Sequence, residues 1–305
     1  MMQSASDSVI NGAYVELSQL LRLRHKPMTT PTLQSRIVGN RAGLKLSKIK
    51  GRGVDFSEVR TYQPGDDVRT IDWRVTARKN KPHTKVFREE RERPNLIVVD
   101  QTQYMFFGSK LRLKSVVAAE LAARIAWQNL NVGDRVGGIV IGNADQALHK
   151  PFRTTKAVAR LLHDISHYNR SLQRDLADPS ASIAQGMLQI RRLTQTNYRI
   201  FVLSDFAGSL DAWREHLHQL ARHNQVVVVH IADPLEAELP PSDHYLITDG
   251  KDRLQLFTGD VRTRESYRTR FLARADQLRR ICAHQSMEFL SISTTDTHLD
   301  GLHWV

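Results

Sequence analysis

From Pro94 onward the chain alternates short, continuously apolar runs with longer amphipathic ones. The apolar runs cover residues 96–100, 134–141, 199–205, 225–232 and 287–292, each of strand length and most rich in Val and Ile. Helical periodicity fills the intervals at 111–129, 152–167, 180–193, 210–223 and 260–284. Two shorter runs, 245–248 and 254–257, read as peripheral strands. Strands apolar on both faces and spaced by helices predict a mostly parallel sheet covered on both sides. The expected fold class over residues 94–305 is therefore doubly wound α/β.

The first third is patterned differently. Residues 13–24 read as an amphipathic helix with Leu17, Leu20 and Leu21 on one side, and residues 27–47 as basic, irregular chain. Residues 51–93 are polar and turn-rich, with a strong turn at Gln63-Pro64-Gly65-Asp66 and strand-like alternation at 84–89. So polar a segment builds no core of its own. The organisation expected is a helix and basic segment at 1–50, a small irregular or β element at 51–93, and the α/β domain at 94–305.

Charge sharpens that division. Residues 1–93 hold 19 Lys and Arg against 10 Asp and Glu, so they carry nine of the twelve net positive charges of the 305-residue chain. Such a field suits an acidic partner, nucleic acid or an anionic surface, or is a solvated basic face. Nucleic-acid binding through this third ranks below the other readings, because its basic residues lack interleaved aromatics. The single cysteine, Cys282, excludes an internal disulfide and a multi-cysteine metal site, and its helical setting reads as a packed thiol. No apolar run approaches the roughly 18 residues of a membrane span, and the N-terminus has no basic region ahead of an apolar core. The compartment expected is the cytoplasm. No phosphate-binding G-x-x-x-x-G-K-[ST], H-E-x-x-H or G-x-S-x-G occurs. His216, His218 and His223 cluster in sequence, but 216 and 218 point to different sides of a helix and read as surface groups.

Ligands of open α/β sheets bind beyond the carboxyl ends of the strands. Two predicted strands end in aspartate, Asp100 and Asp205, and Thr102 follows the first by two residues. Two carboxylates and a hydroxyl there either hold a hard divalent cation such as Mg²⁺ or cap the adjoining helices and loops. The set resembles the metal-ion-dependent adhesion site of von Willebrand factor A-like domains, which places Asp-x-Ser-x-Ser after the first strand, a Thr in a later loop and an Asp after a later strand. Here the first element reads Asp100-Gln101-Thr102-Gln103-Tyr104, so Tyr104 stands where the second hydroxyl belongs. Ser180 and Ser182 are the hydroxyls of the later loop, and Ser182 joins the candidate metal set. A metal-assisted phosphoester hydrolase using the same aspartates is the alternative function, without an identifiable general base.

The polar segment carries a second set of signals: Gly53-Val54-Asp55-Phe56, Glu58-Val59-Arg60-Thr61-Tyr62, Gln63-Pro64-Gly65-Asp66-Asp67, Arg69-Thr70-Ile71-Asp72-Trp73, Thr76-Ala77-Arg78 and Glu89-Glu90. In this order, leading into the strand that ends at Asp100, they resemble the domain-of-unknown-function-58 family over about residues 45–300. The resemblance implies a von Willebrand factor A-like fold. It also implies a non-enzymatic interaction module that partners a MoxR-type AAA+ ATPase in chaperone-like maturation of, or metal insertion into, client proteins. Many members carry N-terminal membrane helices; this chain is similar to the type without them. The residues also admit a physical reading. Asp66, Asp67 and Asp72 alternate with Arg60, Arg69, Arg74 and Arg78, a pattern suited to bidentate pairing that fixes an irregular segment. Phe56, Tyr62, Ile71 and Trp73 are its apolar anchors, and Trp73 with its arginines is the candidate docking surface if exposed.

Overall fold

The computed structural model describes residues 9–25, 54–89, 94–173, 178–240, 244–248 and 253–296. In chain order the helices are α1 (Leu17–Arg22), α2 (Trp73–Lys79), α3 (Lys114–Asn131), α4 (Thr155–Arg170), α5 (Ser180–Leu193), α6 (Leu210–Ala221), α7 (Pro234–Ala237) and α8 (Val261–His284). The strands are β1 (Val54–Thr61), β2 (His83–Glu89), β3 (Asn95–Asp100), β4 (Val136–Ile141), β5 (Gln146–Phe152), β6 (Arg199–Ser204), β7 (Gln225–Ala232), β8 (His244–Thr248), β9 (Arg253–Phe257) and β10 (Glu288–Ser293). The chain divides into two compact units, residues 40–92 and the remainder.

The larger unit is built on a six-stranded sheet ordered β10-β7-β6-β3-β4-β5. Every neighbouring pair is parallel except β4–β5. Alternation along each strand splits the core in two. Ile97, Val99, Val140, Phe201 and Val229 face the layer of α3 and α4, whereas Leu96, Val98, Ile139, Val202 and Val228 face α5, α6 and α8. Each fully buried Val, Leu or Ile contributes about 1.5–3 kcal/mol, so these continuous runs are the main source of stability. At Gly138 a Cβ would stand 2.1 Å from the Ile97 carbonyl oxygen, so β4 can lie this close to β3 only with glycine there. Strands β8 and β9 form a separate antiparallel pair, and β5 is an antiparallel edge that periodicity did not single out.

Of the N-terminal segment expected at 1–50, residues 9–25 are described, and they pack on the larger unit. Ile10 N–H donates to Glu120 Oε2 at 3.0 Å, Val15 N–H to Asn169 Oδ1 at 2.8 Å, and Trp127 Nε1–H to the Leu20 carbonyl at 3.0 Å. The helix begins only at Leu17, where Glu16 and Gln19 form a reciprocal capping box, and is shorter than the 13–24 pattern predicts. Glu120, fully buried, gathers Arg112 Nη1 at 2.5 Å and Arg124 Nη2 at 2.8 Å. Arg112 in turn donates to the carbonyls of Thr294 and Asp296, tying the segment after β10 to α3.

The smaller unit is the β1–β2 antiparallel pair with α2 and a 3₁₀ turn at Val68–Thr70 between its strands. Its aspartates act mostly on backbone. Asp72 caps α2 through Arg74 N–H and Val75 N–H and lies 3.4 Å from Lys85 Nζ. Asp67 accepts from Arg69 N–H, and Asp66 from Gln63 N–H. Arg60–Asp66, at 2.8 Å, is the one Arg–Asp pair of the expected lattice found among the described residues. Carboxylates in turns are taken first by nearby amides, which lose more when left unpaired than an exposed ion pair gains. Trp73 is 68% exposed and Val68 60%, so Trp73 is not the internal anchor of this unit. The side chain of Phe56 lies outside the described residues.

Candidate functional site

Strand β3 has β4 on one side and β6 on the other, so the order reverses between β3 and β6 and opens a crevice at their carboxyl ends. Asp100 ends β3 there and Asp205 follows β6. Asp233, just past the end of β7, is a third aspartate of the same kind, and the strand-end signal that marked the first two also marks it.

Asp100 is buried. Its Oδ1 accepts from Thr102 N–H at 2.9 Å and its Oδ2 from Ser204 Oγ at 2.6 Å. Burial, assisted by the Asp205 charge, raises its pKa to about 6. Thr102 Oγ1 is buried beside it and makes no hydrogen bond of good geometry. Asp205 Oδ1 accepts from Ala207 N–H at 2.9 Å, while Oδ2 accepts from Lys114 Nζ at 2.6 Å. The next residue, Phe206, sits at φ 54, a strained conformation for a non-glycine residue. It is held by its N–H to Ser204 Oγ at 3.0 Å, by Trp213 ring-to-edge at 4.8 Å, and by Arg274, which donates to the Phe206 and Gly208 carbonyls. His230, on β7, packs against Phe206 and Phe289, and burial lowers its pKa to about 4, so the ring is neutral at neutral pH.

Lys114 is the residue that sequence reading missed. Its ammonium, 2% exposed, donates to Asp205 Oδ2 at 2.6 Å and to Glu236 Oε1 at 2.7 Å, and lies 5.6 Å from the Phe107 ring centre. Burial alone would lower its pKa, but Asp205 and Glu236 outweigh that and hold it above the ordinary value. Glu236 is aimed by a capping box in which Asp233 N–H donates to Glu236 Oε2 at 2.8 Å. One signal was legible. Lys114 opens α3, the end of a helix that disfavours a cation unless carboxylates face it.

The other predicted groups go elsewhere. Ser182 Oγ donates to the Gly142 carbonyl at 2.8 Å, in the loop after β4. Ser180 and Tyr104 instead meet at Asp178, with Ser180 Oγ at 2.9 Å and the Tyr104 hydroxyl at 2.5 Å. That bond raises the Tyr104 pKa and lowers that of Asp178. Ser204 is buried and its hydroxyl is committed to Asp100. Arg60, Asp66, Asp67, Arg69, Asp72, Trp73 and Arg78 all lie in the smaller unit.

Would the set take Mg²⁺? An ion on Asp205 Oδ2, at about 2.1 Å, would sit within about 4.7 Å of Lys114 Nζ, given the 2.6 Å contact. At an effective dielectric of about 20 the repulsion is about 7 kcal/mol. Among the described residues no group of three His, Cys, Asp or Glu is disposed to hold a metal ion. With Lys114 in place, the residues present do not fit a divalent cation.

The chain is similar to two solved structures: protein BatB of Bacteroides thetaiotaomicron, 15% identical, TM-score 0.38, over 67% of this chain and 91% of that one; and the SpRpn10 VWA domain, 14% identical, TM-score 0.38, over 68% and 92%. By sequence the chain is similar to the uncharacterized proteins Rv1480 of Mycobacterium tuberculosis and Mb1516 of Mycobacterium bovis. Each is 29% identical over 252 residues, covering 82% of this chain and 78% of the relative. No helix among the described residues is long and apolar enough to cross a membrane. The family described as Protein of unknown function DUF58 matches residues 58–279, most of the chain and both of its units, and this protein belongs to it.

Proposed function

We propose that the chain is a non-enzymatic protein-interaction module that works with a MoxR-type AAA+ ATPase in the maturation of client proteins, metal insertion among them. The observation that carries this reading is Trp73, 68% exposed at the start of α2 in the smaller unit. An exposed tryptophan offers a large apolar area for a partner to bury, and Trp and Arg are enriched among the residues that dominate protein interfaces. Val68, 60% exposed, lies in the 3₁₀ turn that precedes Trp73, and Arg69, Arg74 and Arg78 are exposed in the same stretch. An apolar anchor framed by guanidinium groups fits a partner surface with an apolar socket and an acidic rim. The choice of a MoxR-type ATPase rests on the family resemblance of the motif that contains Trp73.

The test is binding of a purified MoxR-type ATPase to the full chain and to Trp73→Ala, read by calorimetry. A central Trp is worth about 2 kcal/mol or more, so the variant should bind about 30-fold more weakly or worse. An unchanged Kd would remove Trp73 as the anchor, and no binding by wild type would remove the partner.

A further inference from the structure

We infer that Lys114 is the resident cation of the strand-end site, where its ammonium takes the carboxylate contact that a divalent metal would need. Three observations converge on it. The ammonium is buried at the carboxyl edge of the sheet, between Asp205 after β6 and Glu236 past the end of β7, where a strand-end cation would meet Asp205. Two carboxylates from different segments, Asp205 after β6 and Glu236 in α7, both point at it within 2.7 Å. Glu236 is held in that pose by its own capping box, so the arrangement is built and not incidental. The other strand-end carboxylates are engaged as well, Asp100 by Thr102 N–H and Ser204 Oγ and Asp233 by the Ser109 and Leu235 amides and the Thr294 hydroxyl. A lysine cannot offer the open coordination position through which a bound metal accepts an outside carboxylate. Any ligand of this crevice is therefore bound by the protein's own donors and acceptors. Lys114 lies in the larger unit and Trp73 in the smaller, so loss of either role leaves the other measurable.

The experiment titrates Mn²⁺ into metal-stripped full-length protein and follows the free-ion signal by electron paramagnetic resonance, with wild type, Asp205→Asn and Lys114→Gln in parallel. Mg²⁺ competition identifies the class of site. The expected result is no saturable Mn²⁺ uptake by wild type at millimolar metal. Lys114→Gln, which frees Asp205 and Glu236, should gain a site at least about ten-fold tighter than anything in wild type, competed by Mg²⁺. Wild-type uptake that Asp205→Asn abolishes would overturn the inference, as would a folded Lys114→Gln protein that takes no metal. Should Lys114→Gln not fold, wild type against Asp205→Asn still decides: Asp205-dependent uptake refutes the inference, and its absence supports it.

Discussion

Asp100 makes a testable contribution to the pH dependence of stability. Its pKa is about 6 in the folded chain against an ordinary value of 3.8, with burial the largest cause. The folded state therefore holds this proton more tightly than the unfolded state. Stability due to Asp100 is full below about pH 4, falls as pH rises through the folded pKa, and levels off above it. A difference of about two units at 1.36 kcal/mol each is about 3 kcal/mol. Asp100→Asn keeps an acceptor for Thr102 N–H and cannot ionise. Its stability relative to wild type should rise by about 2.4 kcal/mol between pH 4 and pH 7, because the unfolded carboxyl is already more than half ionised at pH 4. The constant offset from altered hydrogen bonding to Ser204 does not matter, because the slope is the readout. Urea unfolding followed by tryptophan fluorescence suits the purpose, since Trp127 and Trp213 are buried in the larger unit. Asp233 and Asp178, whose pKa values are lowered, drive stability the opposite way and cancel in the difference. A wild-type-minus-variant curve flat between pH 4 and pH 7 would refute the account of Asp100.

Three further outcomes follow from the same structure. Lys114→Met leaves Asp205 and Glu236 without their buried counter-charge and should cost about 3–5 kcal/mol at pH 7, read by urea unfolding; a loss below about 1 kcal/mol would contradict the pairing. Glu120→Ala strands Arg112, Arg124 and the Ile10 amide in the interior and should cost about as much, with the residues ahead of α1 losing hydrogen-exchange protection first. Cys282, buried and with burial pushing its pKa up to about 12, should react with a thiol reagent only at the rate of unfolding; fast modification of the native protein would show the thiol to be open.

The sheet was legible because its strands are buried on both faces, which leaves runs such as Val226 to Val229 with no polar alternation to mistake. What escaped was structure whose pattern is set at an edge. Strand β5 carries Gln146, His149 and Pro151 and is only half-buried, and an edge position tolerates the missing donor of Pro151. Helix ends shifted by a few residues where a cap decided the matter: α3 opens at Lys114 and not at Leu111. In the smaller unit the acids and arginines were read as partners because they alternate. Local amides claimed the acids, and only Arg60 found its aspartate among the described residues.

The candidate site shows why strand ends are readable and their counter-charges are not. An aspartate closing an apolar strand is a local signal, and Asp100, Asp205 and Asp233 all carry it. Which cation answers them depends on what the fold brings from elsewhere. Lys114 is 91 residues from Asp205 and 122 from Glu236 in sequence. A metal-site pattern matched to local spacing counts oxygen ligands and is blind to an ammonium arriving from the start of a distant helix. The departure at Tyr104, read alone, leaves a weakened metal site. Read with Lys114, it belongs to a different arrangement, because the tyrosine hydroxyl turns to Asp178 while a lysine takes the charge of Asp205. Both changes remove what a divalent ion needs, one a small hydroxyl ligand and the other an open carboxylate oxygen, and both lie along the carboxyl edge of one sheet.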